Sequence, residues 1–165
     1  IEGLGSRLGI ILLQFPPSFN NSSMQAFSEF LEQLPTDYNF AVEFRHPSWY
    51  LDQTNDLLTE FGVTWAATEY PGVPKEVPLT TDTIFVRLVG KHGRFRSHNR
   101  EQIDVTPQLE SWWDWIRALS EDVYEIYVFF NDDYSGFAPA SANRLKKLIG
   151  LPVVDPDIPK QMKMF

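Results

Sequence analysis

Phe40-Ala41-Val42-Glu43-Phe44-Arg45, followed directly by His46-Pro47-Ser48-Trp49, is the stretch from which the fold can be read. Its apolar members fall on both faces of an extended chain, because successive side chains point to opposite sides. A strand apolar on both faces belongs to a parallel sheet covered by helices, and Pro47 stops it from continuing. Four further runs rich in Ile, Val, Phe and Tyr, at 9–15, 64–69, 84–89 and 126–131, have the same character and are bounded by turn residues.

Helical patterns separate most of these runs. Residues 24–34 put Phe27, Phe30, Leu31 and Leu34 on one face after the candidate caps Ser22 and Ser23. Residues 54–61 form a shorter helix closed by Gly62, and 140–149 end at Gly150. Residues 107–119 begin with Thr106-Pro107 as N-cap and first helical residue, and repeat Leu109, Trp112, Trp113, Ile116 and Leu119. The link 70–83 shows no helical period. Strand–helix alternation of this kind predicts an α/β fold, a parallel (β/α) TIM-barrel-like arrangement of about five units. An open doubly wound sheet also fits. Its dinucleotide-binding form does not, because Phe15-Pro16-Pro17-Ser18 stands where a glycine-rich phosphate loop would follow the first strand. Residues 1–150 read as the barrel-like domain, and 151–165, with three prolines, as an extended tail.

Composition narrows the function. Of 165 residues, 43% are hydrophobic, enough for a core and too many for a disordered chain. Cysteine is absent, which excludes disulfides, thiolate metal sites and cysteine nucleophiles. No apolar run is long enough to cross a bilayer, so a cytoplasmic soluble protein with no membrane partner is expected. A net charge of −8 disfavours broad nucleic-acid binding, which depends on cations neutralising phosphates. The local basic run from Lys91 through Arg94, Arg96 and Arg100 is either a solvated loop or a small anion patch.

Taking the polar member of each strand as inward gives a ring at the C-terminal strand ends: Gln14, Glu43, Arg45, Glu69, Arg87 and Asn131, with His46 and Asp132 next. On this reading strand three turns Trp65, Ala67 and Glu69 inward. Arg45 and Arg87 suit a substrate carboxylate or phosphate. Glu43, Glu69 and His46 are the acid/base candidates, and Gln14 and Asn131 would orient hydroxyls or carbonyls. Trp49 would wall a pocket at the mouth or act as a structural lid. The competing reading of the ring is a buried ion-pair network. Glu43, His46, Glu69 and Asp132 could offer ligands to a metal, but no paired-histidine spacing supports one, so no metal is assigned and no cofactor is named. Trp112, Trp113 and Trp115 lie at helical spacing and read as packing on the sheet.

The segments 12–19, 41–49, Phe85-Val86-Arg87-Leu88 with Gly90, and Tyr127-Val128-Phe129-Phe130-Asn131-Asp132 with Gly136, Ala138 and Asn143 closely resemble the YecE-like domain of unknown function 72, essentially end to end. The resemblance implies a TIM-barrel-like fold without an established activity, compared with sugar isomerases and barrel endonucleases at the level of fold alone. It also implies a histidine where this chain has Val89, a role that is absent here or taken over by His92, and about three strand–helix units preceding Ile1. An assembly of copies is one way to supply the missing strands. The chain's last five residues, Gln161-Met162-Lys163-Met164-Phe165, resemble the peptide by which bacterial proteins dock on the DNA polymerase sliding clamp, with Gln161 fixing register and Met164 and Phe165 as apolar anchors. The expected function is therefore an enzyme-like barrel that binds a small anionic or sugar-like ligand. The alternative is a non-catalytic adaptor in DNA replication or repair.

Overall fold

The computed structural model describes residues 2–153, with Glu2 and Ser6 described by backbone alone. Strands β1 (Ile10–Gln14) and β2 (Asn39–Glu43) are followed by two short segments, β3 (Thr64–Trp65) and β4 (Ala67–Thr68). β5 (Thr83–Leu88) and β6 (Glu125–Phe130) complete the set. Every pairing is parallel, and the spatial orders are β1-β2-β3 and β4-β5-β6. Spatial order therefore follows chain order, whereas a doubly wound sheet reverses it partway. Among the described residues, no strand pairs with the outer edge of β1 or of β6, so the sheet is open.

The run expected as one strand at 64–69 is broken at Ala66. Its first half pairs with β2 and its second half with β5, and the Ala66 N–H still reaches the Val42 carbonyl at 2.9 Å. Sheet twist accumulates from strand to strand, and here the central strand changes partner at its midpoint.

Helices α1 (Met24–Leu31), α2 (Asp52–Glu60), α3 (Thr106–Leu119) and α5 (Ala138–Leu148) cover the sheet, and α4 (Asp132–Ser135) is a single turn after β6. The main core joins Phe27 and Leu31 of α1, Leu58 of α2, and Leu109, Trp112 and Ile116 of α3 to the β-face of Val42, Trp65, Ala67 and Val86. Ala41, Ala66 and Phe85 form a separate small cluster with Ile10, Leu12 and Tyr127. The two clusters take alternate residues of each strand, as side-chain parity requires. One cap differs from expectation. Thr106 is already inside α3, and Asp104 Oδ1 accepts its N–H at 2.9 Å and its hydroxyl at 2.6 Å. A carboxylate is favoured at a helix N-terminus, where free N–H groups point outward. The link 70–83 carries neither helix nor strand up to Asp82, as its composition predicts.

Candidate functional site

Towards the C-terminal strand ends, the face carrying Ala41, Ala66 and Phe85 turns polar. Glu43 is fully buried and accepts from Arg45 Nε at 2.8 Å and from Arg87 Nη1. The Gln14 side-chain oxygen accepts from Arg45 Nη2 at 2.9 Å and also from Arg87 Nη1. Gln14 and Glu43 are direct partners in the β1–β2 register, so the fold itself brings them together. Glu43 and Arg87 are on strands two positions apart, roughly 9.5 Å at the usual strand spacing. Ala66 stands on this face between β2 and β5, and its small side chain leaves room for Arg87 to reach across. The Arg45 guanidinium also lies over the Tyr70 ring at 4.7 Å. One carboxylate and two guanidiniums leave this cluster with one surplus positive charge. The arginine side chains are 19% and 18% exposed, so that charge is poorly hydrated.

Four residues expected to serve the site, Glu69, Trp49, His46 and Asp132, are engaged elsewhere. Glu69 is on the helix side of the sheet, because Trp65 and Ala67 belong to the main core and Ala66 faces the other way. Trp65, Ala67 and Glu69 therefore do not join the ring. The large apolar Trp65 fixes the parity of this strand, and the polarity of Glu69 was a misleading guide. Glu69 accepts from Trp112 Nε1 at 2.8 Å, the Tyr134 hydroxyl at 3.0 Å and Lys75 Nζ at 2.9 Å. Burial works to raise its pKa, but these donors and the Lys75 charge outweigh it and hold the carboxyl below its ordinary value. Trp49 is fully buried, stacks on Phe44 at 4.3 Å, and gives its N–H to the Phe19 carbonyl at 2.8 Å. It offers a ligand no surface, which corrects the expected pocket wall. His46 Nδ1 accepts the Ser48 N–H at 3.2 Å and caps the turn Pro47–Trp49. That contact requires the neutral ring to carry its proton on Nε2. Asp132 likewise caps α5, accepting the Ala138 N–H at 2.8 Å.

Asn131 does lie near the ring. Its N–H bonds the Leu88 carbonyl at 2.9 Å, and it lines a cleft of about 360 Å³ with Arg45, Tyr70, Val89, His92 and Asp133. A second cleft of about 240 Å³, containing Glu69, Lys75, Arg94 and Tyr134, shares the wall formed by Tyr70, Pro71, Gly90 and Lys91. Sequence reasoning missed Asp133, which anchors that wall. Its Oδ1 stands 3.1 Å from His98 Nε2, and its Oδ2 is 3.2 Å from the Gly93 N–H and 3.3 Å from His92 Nδ1. Burial would raise its pKa, but the His98 and Gly93 hydrogen bonds and the histidine charges turn the net shift downward. Gly90 adopts φ +71° against the same turn, and a Cβ there would lie 2.3 Å from the Asp133 carbonyl oxygen. The only signal in the sequence was the adjacent pair Asp132-Asp133 after an apolar strand, which does not say which carboxylate caps and which anchors.

Among the described residues, no group of three His, Cys, Asp or Glu side chains is arranged to hold a metal ion. No helix among them is long and apolar enough to cross a membrane. Gln161, Met164 and Phe165 lie outside the described residues.

Comparison with known proteins extends this picture. The chain is 26% identical to the UPF0759 protein YecE of Escherichia coli strain K12 over 194 residues, covering 98% of this chain and 67% of that protein. A crystal structure of a DUF72 family protein from Thermotoga maritima superposes with a TM-score of 0.73 at 32% identity, covering 88% of this chain and 59% of that one. A second, from Enterococcus faecalis, gives a TM-score of 0.71 at 20% identity, covering 86% of this chain and 61% of that one. The chain thus spans about three-fifths of these solved relatives. With a family match running over residues 1–163, the chain belongs to the family described as Protein of unknown function DUF72.

Proposed function

We propose that this chain is part of a (β/α) barrel whose C-terminal strand ends bind a small anionic, sugar-like ligand. Parallel strands in chain order support the barrel, since barrel strands neighbour each other in sequence. The observation that carries the ligand class is the surplus positive charge of Glu43, Arg45 and Arg87 at the edge of a cleft lined by Arg45 and Asn131. Glu43 serves as the fixed carboxylate that orients both guanidiniums, and Asn131 offers an amide to hydroxyl groups.

Arg45→Met tests this directly, because it removes the surplus charge and leaves the Glu43–Arg87 pair in place. Calorimetric titration with inorganic phosphate and with glucose 6-phosphate is expected to show binding by the unaltered chain. A lost charge-assisted contact of about 1.5–3 kcal/mol corresponds to roughly a 10- to 150-fold weakening in the variant. Equal affinity of the two proteins, or binding of neither anion, would overturn the proposal.

The sequence Gln161-Met162-Lys163-Met164-Phe165 supports a second reading, in which the chain docks on a DNA sliding clamp through two apolar anchors. Removing residues 161–165 should then abolish capture by an immobilised purified clamp. Unchanged capture, or none by the full chain, would sink this reading.

A further inference from the structure

The cleft lined by Arg45 and Asn131 and the cleft containing Glu69 and Tyr134 adjoin along one wall, formed by Tyr70, Pro71, Gly90 and Lys91. We infer that the two together hold a sugar carrying two phosphate groups, one at Arg45 and the other among Lys75, Lys91 and Arg94; this deepens, and rests on, the anionic-ligand proposal above.

Charge sets the second cleft apart from the rest of the molecule. The chain has a net charge of −8, yet Lys75, Lys91 and Arg94 line this cleft against one carboxylate, Glu69. That carboxylate is already engaged, with Lys75 Nζ on one oxygen at 2.9 Å and Trp112 Nε1 and the Tyr134 hydroxyl on the other. Glu69 and Lys75 cancel. Lys91 and Arg94 form no ion pair with a carboxylate among the described residues, so the cleft keeps two uncompensated positive charges. A phosphate monoester carries close to two negative charges at neutral pH, which matches that surplus.

Backbone geometry places these cations. Lys91–Arg94 is a turn closed by the Arg94 N–H on the Lys91 carbonyl at 3.1 Å, with Gly90 at φ +71° and Gly93 at φ +70°. The Gly93 N–H donates to Asp133 Oδ2 at 3.2 Å, which ties the turn to α4. Lys91 is the cation common to both clefts. At about 240 Å³, the second cleft has room for roughly eight waters at ~30 Å³ each, more than one phosphate group needs. Gln108 at the start of α3 adds an amide to it, as Asn131 does to the first.

Calorimetric titration of the whole chain with glucose 6-phosphate and with fructose 1,6-bisphosphate tests the inference. The bisphosphate is expected to bind at least ten-fold more tightly. Arg94→Met removes an exposed side chain that pairs with no carboxylate among the described residues, so it should fold normally. It should weaken the bisphosphate roughly ten-fold, the loss of one charge-assisted contact, and leave glucose 6-phosphate within two-fold. Lys147→Met, an equal change of charge on the exposed side of α5, should leave the preference for the bisphosphate intact. Glucose 6-phosphate binding as tightly as the bisphosphate would overturn this inference alone. So would an Arg94→Met variant that weakens both ligands equally, or a Lys147→Met variant that erases the preference, since either would reduce the effect to net charge. Binding of neither ligand would overturn the anionic-ligand proposal and this inference with it.

Discussion

Glu43→Gln is the sharpest perturbation of the arginine cluster. Glu43 is fully buried and accepts from both Arg45 and Arg87. Glutamine keeps one acceptor oxygen and turns the other into an amide donor aimed at a guanidinium. One charge-assisted contact is lost, and two guanidiniums, 19% and 18% exposed, lose the charge they share. Removing one partner of a buried ion pair costs about 3–5 kcal/mol. Because the guanidiniums keep some access to water, the lower end, about 3 kcal/mol, is expected. At about 2–4 °C per kcal/mol for a chain of this size, the melting temperature should fall by roughly 6–12 °C. Urea unfolding followed by tryptophan fluorescence and thermal melts followed by circular dichroism both measure this. A loss below about 1 kcal/mol would refute the claim that Glu43 holds the two arginines in a desolvated pair. A companion variant sharpens the test. Glu43→Met combined with Arg45→Met and Arg87→Met removes every charge at once and should be more stable than Glu43→Gln alone.

Three further outcomes are expected. Gly90→Ala places a Cβ 2.3 Å from the Asp133 carbonyl oxygen at φ +71°, so it should destabilise by more than about 2 kcal/mol and disturb the His92 and His98 resonances; an unchanged melt would contradict the tight seating of Gly90 on α4. The Glu69 carboxyl is held below its ordinary pKa, so its contribution to stability is complete above the pKa of the unfolded chain and disappears as pH falls through the lower folded value. Glu69→Gln should therefore reduce the acid-side slope of the stability curve, and an identical slope from pH 5 downward would count against this, the region around the ordinary glutamate pKa. Trp49→Phe loses the indole N–H bond to the Phe19 carbonyl and part of the stack on Phe44, and should cost about 1–3 kcal/mol in urea unfolding; a neutral result would mean that Trp49 is not closely packed.

Much of the fold was legible because apolar patterning speaks directly to burial. The strand runs at 9–15, 40–45, 84–89 and 126–131 match β1, β2, β5 and β6 to within two residues at either end, and the parity of β2 and β5 correctly separated Val42 and Val86 from Glu43 and Arg87. Strand three failed because its polar signal came from Glu69, whose partners Trp112 and Tyr134 are 43 and 65 residues away. Nothing local in the sequence announces that a tryptophan N–H on α3 waits for a carboxylate on the helix side. The same limit hid Asp133. Its neighbours are a histidine pair and a glycine N–H from a loop some forty residues earlier, and a short basic run looks the same whether it is solvated or tethered. Trp49 and His46 misled in another way. Their types suggest chemistry, but a carbonyl and a turn N–H use their polar atoms locally.

The change of partner at Ala66 divides the sheet into two halves, with β1 and β2 on one side and β5 and β6 on the other. Gln14, Glu43 and Arg45 belong to the first half, and Arg87 to the second. Mechanically, their contacts form a cross-brace over a seam where the backbone ladder hands over from one neighbour to the next. Shear between the halves is then resisted by side chains as much as by peptide groups. Loosening the brace should first raise amide exchange at Ala66, Ala67 and Thr68, before the outer strands respond. A charged cluster positioned this way would also stiffen whenever an anion joined it, which would couple occupancy of the cleft to rigidity of the sheet.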